Sequence, residues 1–303
     1  MKSLLKWLLV IMAGLVGVLV LVALVGYIAS ERRINRTYDI AVEPISISVD
    51  SAAMEKGRRL TVIRGCGAGD CHGSNFGGEV LLDDPLLGQV YGANLTPGEG
   101  SAAAGYSVED WVRSVRHGVG RDGEALLIMP SSKFAGLSDE ELGWIVAYIR
   151  SLPPIDHIQP ESRLGPQGRV LLLTDQAPLP LLSAEVIDHN ATAPNSVTPE
   201  VSADFGQYLV GVCQDCHRQD LSGGPIPGAS PDSPPAANLT PGGNLANWTY
   251  EQFANTLRTG VTPEGKVLDP AIMPWPVVLE MTDIELEAIW LYLSSLPPVA
   301  PAN

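Results

Sequence analysis

The sequence predicts an all-α protein in which one long apolar helix precedes two similar helical units. Three observations predict this fold class. Residues 7–29 contain no charged side chain, blocks of sequence recur about 144 residues apart, and each block ends in an amphipathic segment followed by two prolines. Neither block shows the alternation of apolar and polar residues that is typical of a half-buried strand.

The apolar N-terminal run is long enough to cross a membrane. As a helix its 23 residues span about 34 Å, whereas the hydrocarbon core of a bilayer is about 30 Å thick. A secretory signal has a shorter apolar region and an A-x-A-like cleavage site, and no convincing site of that kind follows here. We therefore predict a transmembrane anchor over residues 1–30 and a juxtamembrane linker over residues 31–50, with a cleaved signal as the alternative.

The chain is acidic, with 34 Asp and Glu residues against 19 Lys and Arg residues and a formal charge of −15. This balance argues against nucleic-acid binding, because neutralising phosphates requires clustered basic side chains. It fits a water-exposed surface or docking to basic partner proteins. Basic residues flank the apolar run on both sides, so charge alone does not orient the anchor.

Two blocks of the chain repeat one another. The segment ANLTPGEG begins at Ala93 and ANLTPGGN at Ala237, 144 residues later. Segments ending in SLPP, at Pro154 and Pro298, have the same separation, and two Cys-His pairs lie 145 residues apart. Repetition at one spacing indicates a duplicated unit. We predict a first unit over residues 51–154, a linker over residues 155–202 and a second unit over residues 203–303.

Each unit is predicted to contain three helices in the same order. One precedes the cysteines, one follows the ANLTP turn, and one begins at a capping box and stops at the prolines, which lack an amide donor. The equivalent signals are the helices at 52–64 and 203–212, the N-caps Ser107 and Thr249, the terminal glycines Gly118 and Gly260, and the capping boxes Ser138 with Glu141 and Thr282 with Glu285. In the linker, the apolar segment 170–182 has two interpretations: packing across the two units, which we favour, or contact with the membrane surface.

The four cysteines lie in two short segments, CGAGDCH at 66–72 and CQDCH at 213–217. A redox dithiol needs a thioredoxin-like setting, which is not visible. Structural zinc needs four ligands at matched spacings, and a disulfide leaves the histidine without a role. Haem attachment uses every residue, because two thiols bond to the vinyl groups and the adjacent histidine binds iron. The prediction is two covalently bound haem c groups, attached through Cys66 and Cys71 and through Cys213 and Cys216, with His72 and His217 as iron ligands.

The first segment is two residues longer than the usual C-x-x-C-H. Gly67 and Gly69 give this loop freedom to bulge, so we expect thioether bonds at both cysteines. Single attachment through Cys71 is the alternative.

On these motifs the chain resembles a membrane-anchored dihaem cytochrome c with two class I type domains. It is similar to the cytochrome c subunits that serve bacterial alcohol and sugar dehydrogenases. The resemblance covers residues 50–300 and rests on the Cys-His pairs, the ANLTP segments and a late Met-Pro. It implies Met129 and Met273 as the second axial ligands, 57 and 56 residues after the histidines, although a methionine is more often core filler. Histidine–methionine ligation raises the reduction potential relative to many other axial pairs.

In class I cytochromes a Pro-x-Leu segment holds the iron-bound histidine through a backbone carbonyl group. A carbonyl that accepts from the second ring nitrogen fixes the ring and raises its basicity. In this chain alanine stands at the proline position, and an ordinary Asn-Thr-Pro turn is the alternative. The resemblance implies His72 and His217 as donors, Ala93 and Ala237 as acceptors, and Leu95 and Leu239 against the haem groups.

The remaining histidines have no equivalent in the other unit. His117 is matched by Thr259, and His157 and His189 lie in the linker. We predict His117 on the surface and the two linker histidines in contact with water.

These features predict electron transfer between a respiratory or photosynthetic donor and acceptor. Both irons are expected to be six-coordinate, so the chain is expected to be an electron carrier without an enzymatic site. Covalent haem attachment outside the bacterial cytoplasm implies haem units facing the periplasm or cell exterior, with the N-terminus inside. The expected partners are the membrane and a redox protein donor and acceptor, alone or in a larger complex.

The alternatives are a dihaem redox enzyme and a cytochrome subunit of a periplasmic dehydrogenase complex. A peroxidase-like or thiosulfate-oxidising enzyme needs an open iron or an altered ligand. No cysteine remains after attachment, so peroxidase chemistry would require displacement of a methionine, with His117 as the candidate replacement.

Overall fold

The computed structural model describes residues 2–67, 71–178, 180–230 and 232–300. It is predominantly helical, as predicted. The helices are α1 (Lys2–Ile34), α2 (Ser51–Ile63), α3 (Val108–His117), α4 (Asp139–Ser151), α5 (Pro166–Thr174), α6 (Ala203–Leu209), α7 (Gln214–His217), α8 (Tyr250–Thr259) and α9 (Asp283–Ser295). Short 3-10 turns lie at Ser131–Lys133, Ser183–Glu185, Val210–Val212, Asn244–Asn247 and Trp275–Glu280.

Helix α1 is long and apolar enough to cross a membrane. Its segment Ser3–Ile34 reaches a mean hydropathy of 3.2, and the side chains of its most apolar window are not buried against the rest of the chain. Only its C-terminal end is packed. Ile34 contacts a small apolar cluster formed by Leu164, Leu172 and Leu182.

The apolar linker segment packs mainly on the first unit. Leu172 and Leu182 pack with Ile34 from α1 and with Ala125 and Leu127 from the first unit. The reason is local: α5 begins only a few residues after β3 (Arg163–Leu164), which is hydrogen-bonded to the first unit. The segment reaches the second unit at Pro178, whose Cγ would lie 3.8 Å from a Cβ atom on Gly228, so the predicted packing across both units is present at this point.

In each unit the helix before the cysteines crosses the last helix at a glycine. A Cβ atom on Gly57 of α2 would lie 2.1 Å from the carbonyl oxygen of Trp144 in α4. A Cβ atom on Gly206 of α6 would lie 2.0 Å from the carbonyl oxygen of Ala288 in α9. Both glycines are therefore required by the close approach of two helix backbones.

We expect Gly57→Ala to lower the free energy of unfolding by about 1–3 kcal/mol, because the added methyl group forces α2 and α4 apart. Gly136→Ala is the control, since a Cβ atom there meets nothing within 4 Å. Thermal unfolding of the holoprotein compares the two. Equal melting temperatures would contradict the crossing.

The predicted N-caps and terminal glycines are confirmed, with one exception, whereas the helix predicted over 203–212 ends at Leu209 and continues as a 3-10 turn. Ser107, Thr249 and Thr282 each form a reciprocal capping box, and Gly118 and Gly260 end α3 and α8 in the left-handed conformation. Ser138 accepts from the amide of Glu141, but the return bond is missing. The hydroxyl of Tyr208, in the second unit, accepts from the Ser138 amide in place of Glu141.

The prediction that neither unit contains strands is wrong for the first unit. Strands β1 (Glu79–Asp84) and β2 (Gly88–Gly92) form an antiparallel hairpin, and β3 adds to β2. An Asx turn makes the hairpin, because the side chain of Asp84 accepts from the amides of Leu86 and Leu87. The side chains of β1 do not alternate in burial and the register shifts within the strand, so sequence periodicity carries no signal for it.

The two units contact one another through equivalent residues. Glu141, at the start of α4, accepts from the Tyr208 hydroxyl at 2.6 Å. Glu285, at the start of α9, pairs with Arg59 at 2.6 Å. Arg59 and Tyr208 each lie two residues after the crossing glycine of their own helix. In each unit, the residue two positions after the crossing glycine therefore binds the capping-box glutamate of the other unit.

Two ion pairs and one cation–π contact also cross this interface. Arg58 pairs with Glu280 at 2.8 Å, Arg64 lies over the Tyr208 ring at 5.2 Å, and Lys133 pairs with Asp215 at 2.8 Å. The last pair links the 3-10 turn after Met129 to the CQDCH segment. The interface thus connects the segments that carry the predicted iron ligands.

Candidate functional site

The two predicted iron-binding histidines have the same hydrogen-bond geometry. Nδ1 of His72 lies 2.8 Å from the carbonyl oxygen of Ala93, and Nδ1 of His217 lies 2.7 Å from that of Ala237. A carbonyl oxygen only accepts, so each Nδ1 carries the proton and each Nε2 keeps its lone pair. The hydrogen bonds predicted from the sequence are therefore present.

Burial keeps both rings neutral. Desolvation lowers the pKa of His72 and of His217 below the ordinary value of 6.5, and the carbonyl contact opposes it only in part. A neutral imidazole with a fixed tautomer is the form that binds a metal through Nε2.

The backbone around each histidine is also duplicated. The carbonyl oxygen of His72 accepts from the amide of Gly78 at 3.0 Å, and that of His217 accepts from Gly223 at 3.0 Å. Nearby, the carbonyl oxygens of Phe76 and Leu221 accept from the amides of Leu95 and Leu239 at 2.8 Å.

Phe76 and Leu221 were missed by the sequence analysis. Both are buried and both adopt a positive φ, 61° and 60°. This conformation is strained for a side chain with a Cβ atom, and such residues cluster at functional sites. Their separation of 145 residues matches that of the Cys-His pairs, but the residue types differ.

The asparagine of each ANLTP segment has a structural role that the sequence analysis also missed. The side-chain amide of Asn94 donates to the carbonyl of Ile155 at 2.8 Å, and that of Asn238 donates to the carbonyl of Val299 at 2.8 Å. Each therefore ties the turn below the histidine to the chain that follows the last helix. The sequence signal that could have indicated this role is the presence of the asparagine in both ANLTP segments.

The cysteine thiols lie in a low-dielectric setting. Burial, together with the second thiol of each pair, raises the pKa of Cys66 to about 12 and the pKa of Cys213 to about 12. Burial also raises the pKa of Cys216. No disulfide joins the four cysteines. A protonated thiol is a poorer nucleophile than a thiolate.

Within the described residues, no group of three or more His, Cys, Asp or Glu side chains is arranged to hold a metal ion. In each unit one histidine follows directly after the second of two cysteines.

The longer first segment is described only in part. Residues 68–70, including Gly69, lie outside the described residues. Gly67 has a packing role, because a Cβ atom there would lie 2.2 Å from the ring of Phe76. The segment is held from the other side by β2, since a Cβ atom on Gly92 would lie 1.5 Å from the carbonyl oxygen of Cys71.

The two Met-Pro segments have the same turn. The carbonyl oxygen of Met129 accepts from the amide of Ser131 at 2.8 Å, and that of Met273 accepts from Trp275 at 2.6 Å. The intervening prolines have φ and ψ of −80° and 51°, and of −74° and 54°. These are inverse γ-turns, in which proline presets φ and thereby fixes the direction of the preceding methionine.

The first unit brings more of its predicted site residues together than the second. Cys66, Leu95 and Met129 all pack against one apolar cluster, which includes Leu60, Trp111 and Leu142. In the second unit Cys213 and Leu239 pack against the corresponding cluster, but Met273 is not among its neighbours.

A buried donor in the second unit fits a bound anionic group. Nε1 of Trp275, two residues after Met273, is buried and has no hydrogen-bond partner among the described residues. Its ring lies against Gly260, where a Cβ atom would come within 2.5 Å of it. An unpaired buried N–H group is costly. A haem carboxylate fits this requirement, as the neutral imidazoles and paired thiols fit the rest of that group.

The prediction that His117 lies on the surface and His189 in solvent is wrong. Both are partly buried, and their Nδ1 atoms are 3.1 Å apart. Nε2 of His189 donates to the carbonyl of Ala184 at 2.9 Å, so its Nδ1 accepts from His117. His157 is exposed as predicted, although its Nδ1 lies 2.9 Å from the carbonyl oxygen of Gly77.

This pair predicts a pH dependence. Burial, with the nearby His189 and Arg116, lowers the pKa of His117 to about 4. Because the folded-state pKa lies below the unfolded value, protonation favours unfolding, and stability falls as the pH drops from about 6.5 towards 4. We expect His117→Gln to flatten the decline of melting temperature between pH 7 and pH 4, with His157→Gln as the control. Equal slopes for both variants would contradict this.

No protein-family model matches the chain. The cytochrome c subunit of alcohol dehydrogenase (quinone) from Gluconacetobacter polyoxogenes is 27% identical over 287 residues, which cover 84% of this chain and 58% of that protein. The fructose dehydrogenase cytochrome subunit of Gluconobacter japonicus is 26% identical over 280 residues, 86% of this chain and 56% of that protein.

The chain is similar to cytochrome c subunits of bacterial dehydrogenases. The resemblance inferred from the Cys-His, ANLTP and Met-Pro motifs is therefore confirmed. The gluconate 2-dehydrogenase cytochrome c subunit of Pantoea cypripedii matches a shorter part of the chain. It is 30% identical over 119 residues, which cover 37% of this chain and 26% of that protein. The chain spans less than three fifths of the length of the alcohol and fructose dehydrogenase cytochrome subunits.

Proposed function

We propose that the chain is an electron-transfer protein with two tandem class I type cytochrome c domains, each holding one covalently bound haem c. The observation that carries the proposal is the pair of equivalent histidines, each with Nδ1–H bound by the carbonyl of an ANLTP alanine and each following a pair of thiols. A duplicated geometry of this kind matches the duplicated sequence.

The proposal assigns a role to each predicted site residue. Haem c, when bound, supplies the one-electron chemistry of its iron. Cys66, Cys71, Cys213 and Cys216 would form the thioether bonds, and His72 with Met129 and His217 with Met273 would hold the two irons.

The chain's own residues orient and tune these ligands. The carbonyls of Ala93 and Ala237 hold the imidazoles in one tautomer, and burial keeps both rings neutral. The inverse γ-turns fix the methionines. The Lys133–Asp215 pair holds the methionine turn of the first unit against the CQDCH segment of the second, so the distance between the two sites does not depend on a flexible linker.

We further propose that the chain is an electron carrier that serves a dehydrogenase partner, as the names of its relatives suggest. Helix α1 anchors it in the cytoplasmic membrane, with both haem domains facing the periplasm or cell exterior and the N-terminus inside.

Purification of the full-length chain from membranes in mild detergent tests this function. The intact mass should exceed that of the polypeptide by two haem groups, and spectroelectrochemical titration should show two one-electron transitions. A dehydrogenase should co-purify and reduce both haems when given its substrate. A mass increase of one haem, or of none, would overturn the dihaem assignment.

A further inference from the structure

Helix α5 presents an apolar edge that no described residue covers. Val170 is 58% exposed and Leu173 is 36% exposed, and their spacing of three residues places them on one face. Leu172, on the opposite side, is buried with Leu164 and Leu182. The helix is therefore anchored by one face and open on the other.

Arg169 fixes this helix beside the C-terminal turns of α1. Its guanidinium donates to the hydroxyl of Ser30 at 2.7 Å and to the carboxylate of Glu31 at 2.6 Å. The same group lies 4.4 Å from the centre of the Tyr27 ring. Arg33 adds contacts from α1 back to the linker, with Asp175 at 2.5 Å and with Glu185 at 2.6 Å.

The contact with α1 defines how deep the apolar edge of α5 would lie relative to a bilayer. A Cβ atom on Gly26 would lie 3.9 Å from Cδ1 of Leu173. Gly26 belongs to the uncharged run 7–29 and precedes its end by about 4.5 Å along the helix axis. The run is only about 4 Å longer than a hydrocarbon core. Leu173 therefore lies level with the boundary between acyl chains and headgroups.

We infer that α5 lies on the membrane surface with Val170 and Leu173 inserted into the headgroup–acyl boundary of the phospholipid bilayer. The inference rests on the membrane anchoring proposed for α1. Amphipathic helices bind this boundary by burying their apolar face about 5–10 Å into it. The chain then touches the bilayer at two joined elements, so the first unit has a fixed orientation and does not swing on residues 31–50.

Photolabelling from the lipid tests the inference on the unmodified holoprotein. The full chain is reconstituted in phosphatidylcholine–phosphatidylglycerol vesicles that contain a phospholipid with a diazirine near the ester end of its acyl chain. After irradiation, mass spectrometry should find lipid adducts on α1 and on α5. Adducts on α1 without adducts on α5 would overturn the inference while leaving the anchor intact. Absence of adducts from both would overturn the anchor itself, whereas the haem count is read independently from the intact mass.

Charge substitutions provide the matched comparison. Val170→Glu and Leu173→Glu should abolish the α5 adducts, because a carboxylate withdraws from the boundary, and should leave the α1 adducts and the haem absorbance unchanged. Val267→Glu, at an apolar side chain that is 74% exposed in the second unit, should change nothing. Lipid adducts that reach α5 only after a co-purifying polypeptide is removed would show that protein covers this edge and would refute a lipid contact.

Discussion

Alanine at both Cys213 and Cys216 should remove one of the two covalently attached haem groups that we propose and leave the other in place. Each unit carries its own thiols and its own histidine, which is fixed by a carbonyl of the same unit. Thioether formation in one unit therefore does not require the cysteines of the other. The mass of the denatured polypeptide should fall by one haem, and the pyridine haemochrome absorbance per chain should halve.

The reciprocal variant, Cys66→Ala with Cys71→Ala, is the control and should give the same loss. Two haem masses in either double variant would contradict covalent attachment at those cysteines. Cys66→Ala alone examines the longer segment. If both thiols are bonded, the haem should remain through Cys71, and the reduced band of its pyridine complex should move to longer wavelength because one vinyl group stays conjugated.

Glu141→Ala should lower the free energy of unfolding by about 3 kcal/mol or more. Glu141 is 13% exposed and Arg64, which pairs with it at 3.1 Å, is 7% exposed. Without the carboxylate, a buried guanidinium loses its counter-charge, and its Nε already lacks a partner among the described residues. The Tyr208 hydroxyl loses its acceptor as well. Burial and the Glu141 charge raise the pKa of Tyr208 to about 12, so it remains a protonated donor.

An exposed ion pair provides the comparison. Glu161 pairs with Arg163 at 3.1 Å, but both side chains are more than three-quarters exposed. Glu161→Ala should therefore leave the melting temperature almost unchanged. Thermal unfolding followed by circular dichroism of the holoprotein measures both variants. A loss for Glu141→Ala no larger than that for Glu161→Ala would falsify the claim that the buried carboxylate of Glu141 stabilises the fold through Arg64 and Tyr208.

Local signals predicted the helices well because their causes are local. Capping boxes, terminal glycines and proline pairs act within one or two turns, and the ends of α3, α8 and α9 follow them. The exception has a non-local cause. Glu141 was predicted to close a capping box, but the Tyr208 hydroxyl, 67 residues away in the chain, takes its carboxylate. The four residues of the motif contain no signal that a distant hydroxyl group will compete for the glutamate side chain.

The first unit's sheet was not predictable for a similar reason. Strand β1 has no alternation, and β2 is completed by Arg163–Leu164 from a segment assigned to the linker. In the site, repeated residue types were informative and repeated conformations were not. The alanine carbonyls were predicted because the two ANLTP segments resemble the Pro-x-Leu segment of class I cytochromes, whereas Phe76 and Leu221 share a positive φ without sharing a residue type. The pairing of His117 with His189 depends on linker packing, which has no sequence period.

The reciprocal placement of Glu141 and Glu285 makes the two halves of the chain the equivalent of an isologous dimer joined by a peptide segment. Partners related by such symmetry show the same surface on both sides, so shape alone does not distinguish an entrance for electrons from an exit. Directionality must then arise where the symmetry is broken: at the hairpin and linker packed on the first half, at the membrane contact proposed for α5, and in the unequal surroundings of Met129 and Met273.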